Sequence, residues 1–245
     1  FGTIAETYIE RECPTLARGG DLESVIRRRL LPKWKNKRFV DLRGRHAIEL
    51  TDALIDAGYA AAANNLHGTI VRIGRWAKAK DMIEFSPFSD MEFPALKIER
   101  DRVLTPAEIR ALWPVWGDEG NPFGSFQKLL LLTMQRRNEV SGIKPNEIDF
   151  DKKIWTVPGT RTKNKLPMMV PLSQMALDIL EELPECKGDE FLLSTTDGKK
   201  PISGFSKNKK RTDKASKVTN WRLHDLRRTG RTGLARLRVP EVVAE

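Results

Sequence analysis

The sequence predicts a mainly α-helical protein with a small antiparallel β-sheet, split into an all-helical first part and a mixed α+β second part. Three observations carry this. Residues 1 to about 85 place their apolar side chains at helical spacing. Residues 86–102 break that pattern with two prolines in "SPFSDMEFPAL". From residue 103 onward, two short runs of strand character interrupt the helices. A chain of 245 residues is long enough for two domains, each with a core of its own. The expected division is a helical domain at 1–85, a linker at 86–102 and a mixed domain at 103–245.

The elements follow in order. "TIAETYIER" reads as a short amphipathic helix. "DLESVIRRRLLPKW" places Asp21 as an N-cap, with Glu23 adding negative charge in the first turn. "RGRHAIELTDALIDAG" ends at Gly58, a natural helix stop. "AAAANNLHGTIVRIGRWAKAK" repeats apolar residues at Leu66, Ile70, Ile73 and Trp76–Ala77, and carries Arg72, Arg75, Lys78 and Lys80. In the second part, Thr105 caps a helix whose first residue is Pro106. "FGSFQKLLLLTMQ" reads as a buried helix. "KKIWTVPG" and "LPMMVPLS" read as strands joined by the basic segment "TRTKNK". "SQMALDILEEL" is amphipathic helix again, and "SGFSKNKKRTDKAS" is a very basic helix or loop.

Charge narrows the partner. The chain has 43 Lys+Arg against 33 Asp+Glu, a formal net charge of +10. That balance favours a polyanion, nucleic acid before an acidic membrane surface. No run approaches the roughly 18 apolar residues of a membrane helix, and "FGTIAETYIERE" lacks the basic start and apolar stretch of a signal peptide. Phe1 is not a natural start, so residues are expected to precede it. Cys13 and Cys186 sit in no motif and read as unpaired thiols in a reducing cytoplasm. Three histidines and two cysteines, all scattered, argue against zinc, and no cofactor is implied.

Three basic clusters lie in the second part. In "TMQRRNEVSGI", Arg136 and Glu139 are three apart and would share a helical face. A surface ion pair there would be worth little. An arginine emerging from "KLLLLT", however, is close to the core, where it needs a carboxylate or a bound anion. "RTKNK", residues 161–165, is either a solvated hairpin turn or a loop that brings a lysine to a phosphate. In "WRLHDLRRTG", His224 and Arg227 stack on one helical face, while Arg228 points about 100° away. A lone histidine beside Leu223 and Leu226 is more often a satisfied core residue than a catalyst. Together, Arg136, Lys163, His224 and Arg227 could converge on one phosphodiester. Two guanidiniums would clamp the nonbridging oxygens, a lysine would protonate the leaving 5′-oxygen, and histidine would hydrogen-bond the phosphate or assist proton movement. Such a site needs no metal ion.

These residues resemble the catalytic domain of tyrosine recombinases, in particular integrases of prophages and genomic islands. The resemblance rests on "LTPAEIRAL", "LLLLTMQRRNEVSGI", "RTKNKLPMMVPLS", "PISGFSKNKKRTD" and "LHDLRRT", in that order, from about residue 103 to the end. The helical first part resembles the core-binding domain that precedes it in the family. The resemblance implies Arg136 and Arg227 as phosphate-clamping arginines and Lys163 as general acid. It implies His224 as the site histidine and Glu139 as support for Arg136. It implies site-specific DNA cleavage and rejoining through a 3′-phosphotyrosine, and a homo-tetramer on duplex DNA attachment sites for the full-length protein.

Two departures stand out. Where the family commonly has glycine two residues before the first arginine, this chain has Met134. The family's nucleophilic tyrosine lies well beyond His-x-x-Arg, whereas the chain stops at Glu245, 18 residues past Arg227, and its tyrosines are Tyr8 and Tyr59. The expectation is a chain that binds DNA without completing the reaction, monomeric in the absence of DNA. The two parts are expected to clamp duplex DNA. Asn64, Asn65, Arg72, Arg75 and Lys78 would face it from the first part, and Arg161, Thr162, Lys165, Ser203, Lys207 and Lys209 from the second. The competing reading is an inactivated integrase serving as a DNA-binding factor. A metal-dependent nuclease is disfavoured, since no carboxylate cluster accompanies the basic one.

Overall fold

The computed structural model describes residues 1–96, 100–162, 164–184 and 190–240. It divides into two compact units, Phe1–Glu99 and Arg100–Glu245. Among the described residues of the first, the regular elements are all helical: α1 (Gly2–Arg11), α2 (Gly19–Val25), α3 (Leu31–Trp34), α4 (Gly44–Asp56) and α5 (Ala60–Ala79). A π-helical turn, Ile26–Leu30, runs α2 into α3. Tyr8, Ile26, Leu30, Leu66, Ile70 and Ile73 form the centre of its core.

Helix α2 starts three residues earlier than expected, with Arg18 rather than Asp21 at the N-cap. Gly19 opens it because the Cys13 carbonyl passes so close that a Cβ would sit 1.7 Å from its oxygen. Asp21 therefore lies inside the first turn, paired with Arg18 at 2.8 Å, rather than at the cap. Gly58 does stop α4, with a φ of +81°.

The stretch expected as linker, 86–102, is in large part packed chain. Phe88 is fully buried, stacked on Trp34 at 5.7 Å and edge-on to Phe39. Asn64 holds the Ala95 backbone from both sides, donating to its carbonyl at 2.9 Å and accepting its N–H at 3.1 Å. The ring of His67 lies 3.2 Å from the Met91 carbonyl. An aromatic residue between two prolines had a core to join, which no local pattern announces.

The second unit contains α6 (Pro106–Glu119), α7 (Phe123–Thr133), α8 (Arg137–Ser141), β1 (Ile148–Asp149), β2 (Ile154–Val157), β3 (Met168–Pro171), α9 (Gln174–Glu181), α10 (Phe205–Ser216) and α11 (Leu223–Arg236). Thr105 caps α6 as expected: its hydroxyl accepts the Glu108 N–H at 3.2 Å, and Glu108 accepts the Thr105 N–H at 2.8 Å. The strands form an antiparallel sheet in the order β1-β2-β3, with Trp155 opposite Val170. At two residues, β1 is too short to leave a pattern of alternation. The basic segment "SGFSKNKKRTDKAS" is helical through α10. It buries Asn208 and Thr212, four apart, against Gln127 of α7, whose amide donates to Asn208 at 2.6 Å. Its inward stripe is polar, so hydropathy could not separate helix from loop.

Leu112, Trp116, Phe126, Trp155, Val157 and Leu226 centre the core of this unit, which α7 crosses. Cys13 is a buried free thiol, and Cys186 lies outside the described residues. Among the described residues no helix is long and apolar enough to cross a membrane. Trp116→Ala should destabilise the second unit by about 3–5 kcal/mol, the usual cost of emptying a fully buried aromatic position. A shift of the urea midpoint followed by tryptophan fluorescence measures it.

Candidate functional site

The site is built where α7 ends. Met134 terminates that helix in the left-handed conformation, φ 56° and ψ 22°. The chain then turns through Gln135 and enters α8 with Arg136 at the N-cap, in extended backbone. Arg136 and Glu139 are thus not stacked on a helical face as expected. Glu139 reaches back across the first turn of α8, accepting the Arg136 N–H at 2.8 Å and Nη1 at 2.9 Å. The Glu139 side chain is 2% exposed and that of Arg136 is 44% exposed. One edge of the guanidinium is held by a buried carboxylate, and much of the rest is open.

Helix α11 arrives from the other side. Its first turn is organised by Asp225, whose carboxylate is 1% exposed. That carboxylate accepts the Arg222 N–H at 2.8 Å, Arg100 Nε at 3.0 Å and Arg228 Nη1 at 3.2 Å. Arg227 is buried. Its Nη1 donates to the Met134 carbonyl, and the Gln135 side-chain oxygen lies 3.4 Å away. Two arginines 91 residues apart in sequence therefore meet at one three-residue turn. His224 is exposed, one residue before the buried Asp225. Its imidazole is pushed below its ordinary pKa, first by desolvation and then by the neighbouring Arg228 and Arg227; Asp225 opposes this and Arg136 adds to it.

A cavity of about 690 Å³ opens here, bordered by Arg136, Glu139, Arg161, Thr162, Lys209 and His224 among others. Arg227 is reached through Met134 and Gln135 rather than from the cavity wall. Three residues expected to face DNA are tied into that wall. Arg161 pairs with Glu147, which also accepts Trp155 Nε1 at 3.1 Å, and it lies close over Gly142. The buried Thr162 hydroxyl donates to the Leu166 carbonyl at 2.7 Å. Lys209 pairs with Asp213 and lies 4.0 Å from the Trp221 ring centre. Thr162 and Lys209 each meet a partner four residues on, while Glu147 under Arg161 and the Trp221 ring under Lys209 are partners that their local sequence does not reveal. Lys163 lies outside the described residues. Lys165, Ser203 and Lys207 are exposed.

In the first unit, Asn65, Arg72, Arg75 and Lys78 are exposed along α5. Asn64 is the exception, its amide being used on Ala95. Asn65 and Arg72 border a second cavity of about 530 Å³ together with Arg18, which the sequence did not single out. Asp225 was also missed as an organiser. The available signal was an aspartate three residues after Arg222, in the first turn of a helix. Among the described residues no group of three His, Cys, Asp or Glu side chains could hold a metal ion. Tyr8 is fully buried in the first unit and Tyr59 lies just before α5, so neither belongs to the second unit.

A helical unit followed by an α+β unit in which two distant arginines meet at one turn, beside a cavity that a histidine borders, fits a tyrosine recombinase. The phage integrase family matches residues 102–245, and the chain belongs to that family. It is 30% identical over 162 residues to the integrase of Enterobacteria phage P4, and 26% identical over 194 residues to the IntB protein of Escherichia coli. The alignments cover 57% and 68% of this chain, but only 36% and 47% of those two proteins. In fold it is similar to a lambda integrase dimer bound to a COC′ core site, with a TM-score of 0.76 and 19% identity over 99% of this chain and 92% of that one. It is similar also to the Tn1549 transposon integrase in complex with circular intermediate DNA, with a TM-score of 0.74 and 16% identity over 98% of this chain and 88% of that one.

The depressed imidazole has a testable sign. The unfolded chain takes up the proton first, so His224 lowers stability as pH falls below about 6.5 and contributes nothing well above it. An NMR titration should place the His224 midpoint below that of a free imidazole, and Arg228→Gln should raise it. A midpoint at or above the free value would contradict the geometry.

Proposed function

We propose that this chain is the DNA-binding and strand-exchange portion of a site-specific recombinase that works through a 3′-phosphotyrosine. The observation that carries the reading is the meeting of Arg136 and Arg227 at the 134–136 turn, beside a cavity that His224 also borders. In this proposal the two guanidiniums hold the scissile phosphate and offset the charge gained in the pentacoordinate transition state. Glu139 keeps Arg136 aimed, and His224 donates to a nonbridging oxygen. Lys163 protonates the leaving 5′-oxygen. Asn65, Arg72, Arg75 and Lys78 on one unit, with Lys165, Ser203 and Lys207 on the other, contact the duplex backbone. Lambda integrase has been captured as a tetramer on a Holliday junction, and a homo-tetramer on DNA is proposed for the whole protein here. None of the 245 residues is proposed as the nucleophile.

The chemistry can be tested without one. A nicked duplex carrying a 3′-nitrophenyl phosphate opposite a free 5′-hydroxyl supplies its own nucleophile and leaving group. Attack of the 5′-oxygen on phosphorus forms the P–O5′ bond and breaks the bond to nitrophenolate, with the hydroxyl proton passing to solvent, so the strand is resealed as nitrophenolate leaves. The chain should bind this duplex with a strong salt dependence, at a slope of about −0.9 per phosphate contacted, and should release nitrophenolate. Arg136→Gln should abolish release and weaken binding by about tenfold or more. Binding without release would favour an integrase-derived DNA-binding factor that has no chemistry. On a nicked duplex with an ordinary phosphodiester, no covalent protein–DNA adduct should form; an adduct at Tyr8 or Tyr59 would overturn the assignment.

A further inference from the structure

Met134 occupies a position where the backbone takes a φ of +56°, a conformation glycine adopts freely and a branched or long side chain rarely does. A methionine is held there by something. Its side chain runs onto α11 at Gly230, where a Cβ would lie 2.4 Å from Met134 Cγ and 2.9 Å from its Sδ. That Cβ would also meet the Leu131 carbonyl of α7 at 3.3 Å. Gly230 is thus the missing volume into which the methionine fits. On the backbone side, the same residue offers its carbonyl to Arg227 Nη1. Leu226 and Thr229, the neighbouring α11 positions packed inward, are buried side chains that leave no such room.

We propose that Met134 is a positioning residue: its side chain, wedged on Gly230, and its carbonyl, bound to Arg227, set the spacing between Arg227 and Arg136. The wedge fixes how close α11 comes to the end of α7. The carbonyl fixes where the Arg227 guanidinium stops. Arg136 leaves the same turn two residues later, so both arginines are referenced to one backbone segment. The pair Met134–Gly230 is then a matched set, in which enlarging one member requires shrinking the other. The inference rests on the reading that the two arginines hold a DNA phosphate, but its geometric content can be measured without DNA.

The test is a double-mutant cycle in the 245-residue chain, read in two ways. One readout is the His224 titration midpoint by NMR, which follows first the burial of the ring against the turn and then the surrounding guanidiniums, Arg136 of the turn among them. The other is the dissociation constant for the nicked duplex. Gly230→Ala should force α11 away from the turn, raise the His224 midpoint and weaken DNA binding about tenfold. Met134→Gly/Gly230→Ala should return both readouts to within about threefold of the wild type, because the new methyl enters the vacated space. Should Gly230→Ala not fold, Met134→Ala keeps the turn residue non-glycine while removing the wedge, and should shift the His224 midpoint on its own. A double variant no better than Gly230→Ala, or a His224 midpoint unmoved in every variant, overturns the proposal. A midpoint that moves and is restored as expected, with DNA binding constant throughout, supports the wedge and sinks the phosphate reading instead.

Discussion

The hydrogen bond from Arg227 to the carbonyl of Met134 is the contact on which the site depends. It joins α11 to the end of α7, two helices that share the core of the second unit through Leu226 and Leu130. A guanidinium in a buried position must find acceptors or lose several kcal/mol of hydration without return. Here part of that demand is met by a helix C-terminus, where backbone carbonyls lack partners within the helix. The same helix end thereby gains a donor, and α11 is held in one orientation. His224, three residues earlier on α11, follows from that orientation.

Buried carboxylates do the complementary work. Glu139 satisfies the backbone and guanidinium of Arg136 together, and Asp225 satisfies the first turn of α11 together with Arg100 and Arg228. Each carboxylate is almost wholly buried while its arginine partners reach solvent, so replacing a carboxylate would release those guanidiniums from a fixed direction. The net effect is a basic cavity whose arginines are aimed rather than floppy. Side-chain entropy that would otherwise be lost on meeting an anion is already spent in folding. Arg100 adds a further tie, since the first residue of the second unit is bonded to the helix that carries His224.

The first unit is organised differently. Its core is aromatic at one end, with Trp34, Phe39 and Phe88 in contact, and aliphatic along α5. The opposite face of α5 is left to Asn65, Arg72, Arg75 and Lys78. Burying the stripe Leu66, Ile70, Ile73 and Ala77 forces the basic positions outward, so one packing decision sets both the core and the charged face.

The sequence by itself determined the helices with a clear apolar stripe, the cap at Thr105, the stop at Gly58 and the two longer strands. It also carried the family, because motifs in a fixed order are local patterns. These features depend on neighbours a few residues away, which is the range over which helical and strand periodicity operates. Only the tertiary structure decided the rest. Phe88 joined the helical core, Asn64 turned to Ala95 instead of outward, and α10 became a helix by burying Asn208 and Thr212. Arg136 became an N-cap, and Met134 found room on Gly230, 96 positions later in the chain. Except for Arg136, whose partner Glu139 is three residues away, the deciding partner in each case is a ring, a hydrogen-bonding group or an empty volume distant in sequence. A polar side chain has no preferred direction until its partner is in place, so its use cannot be read from its own segment.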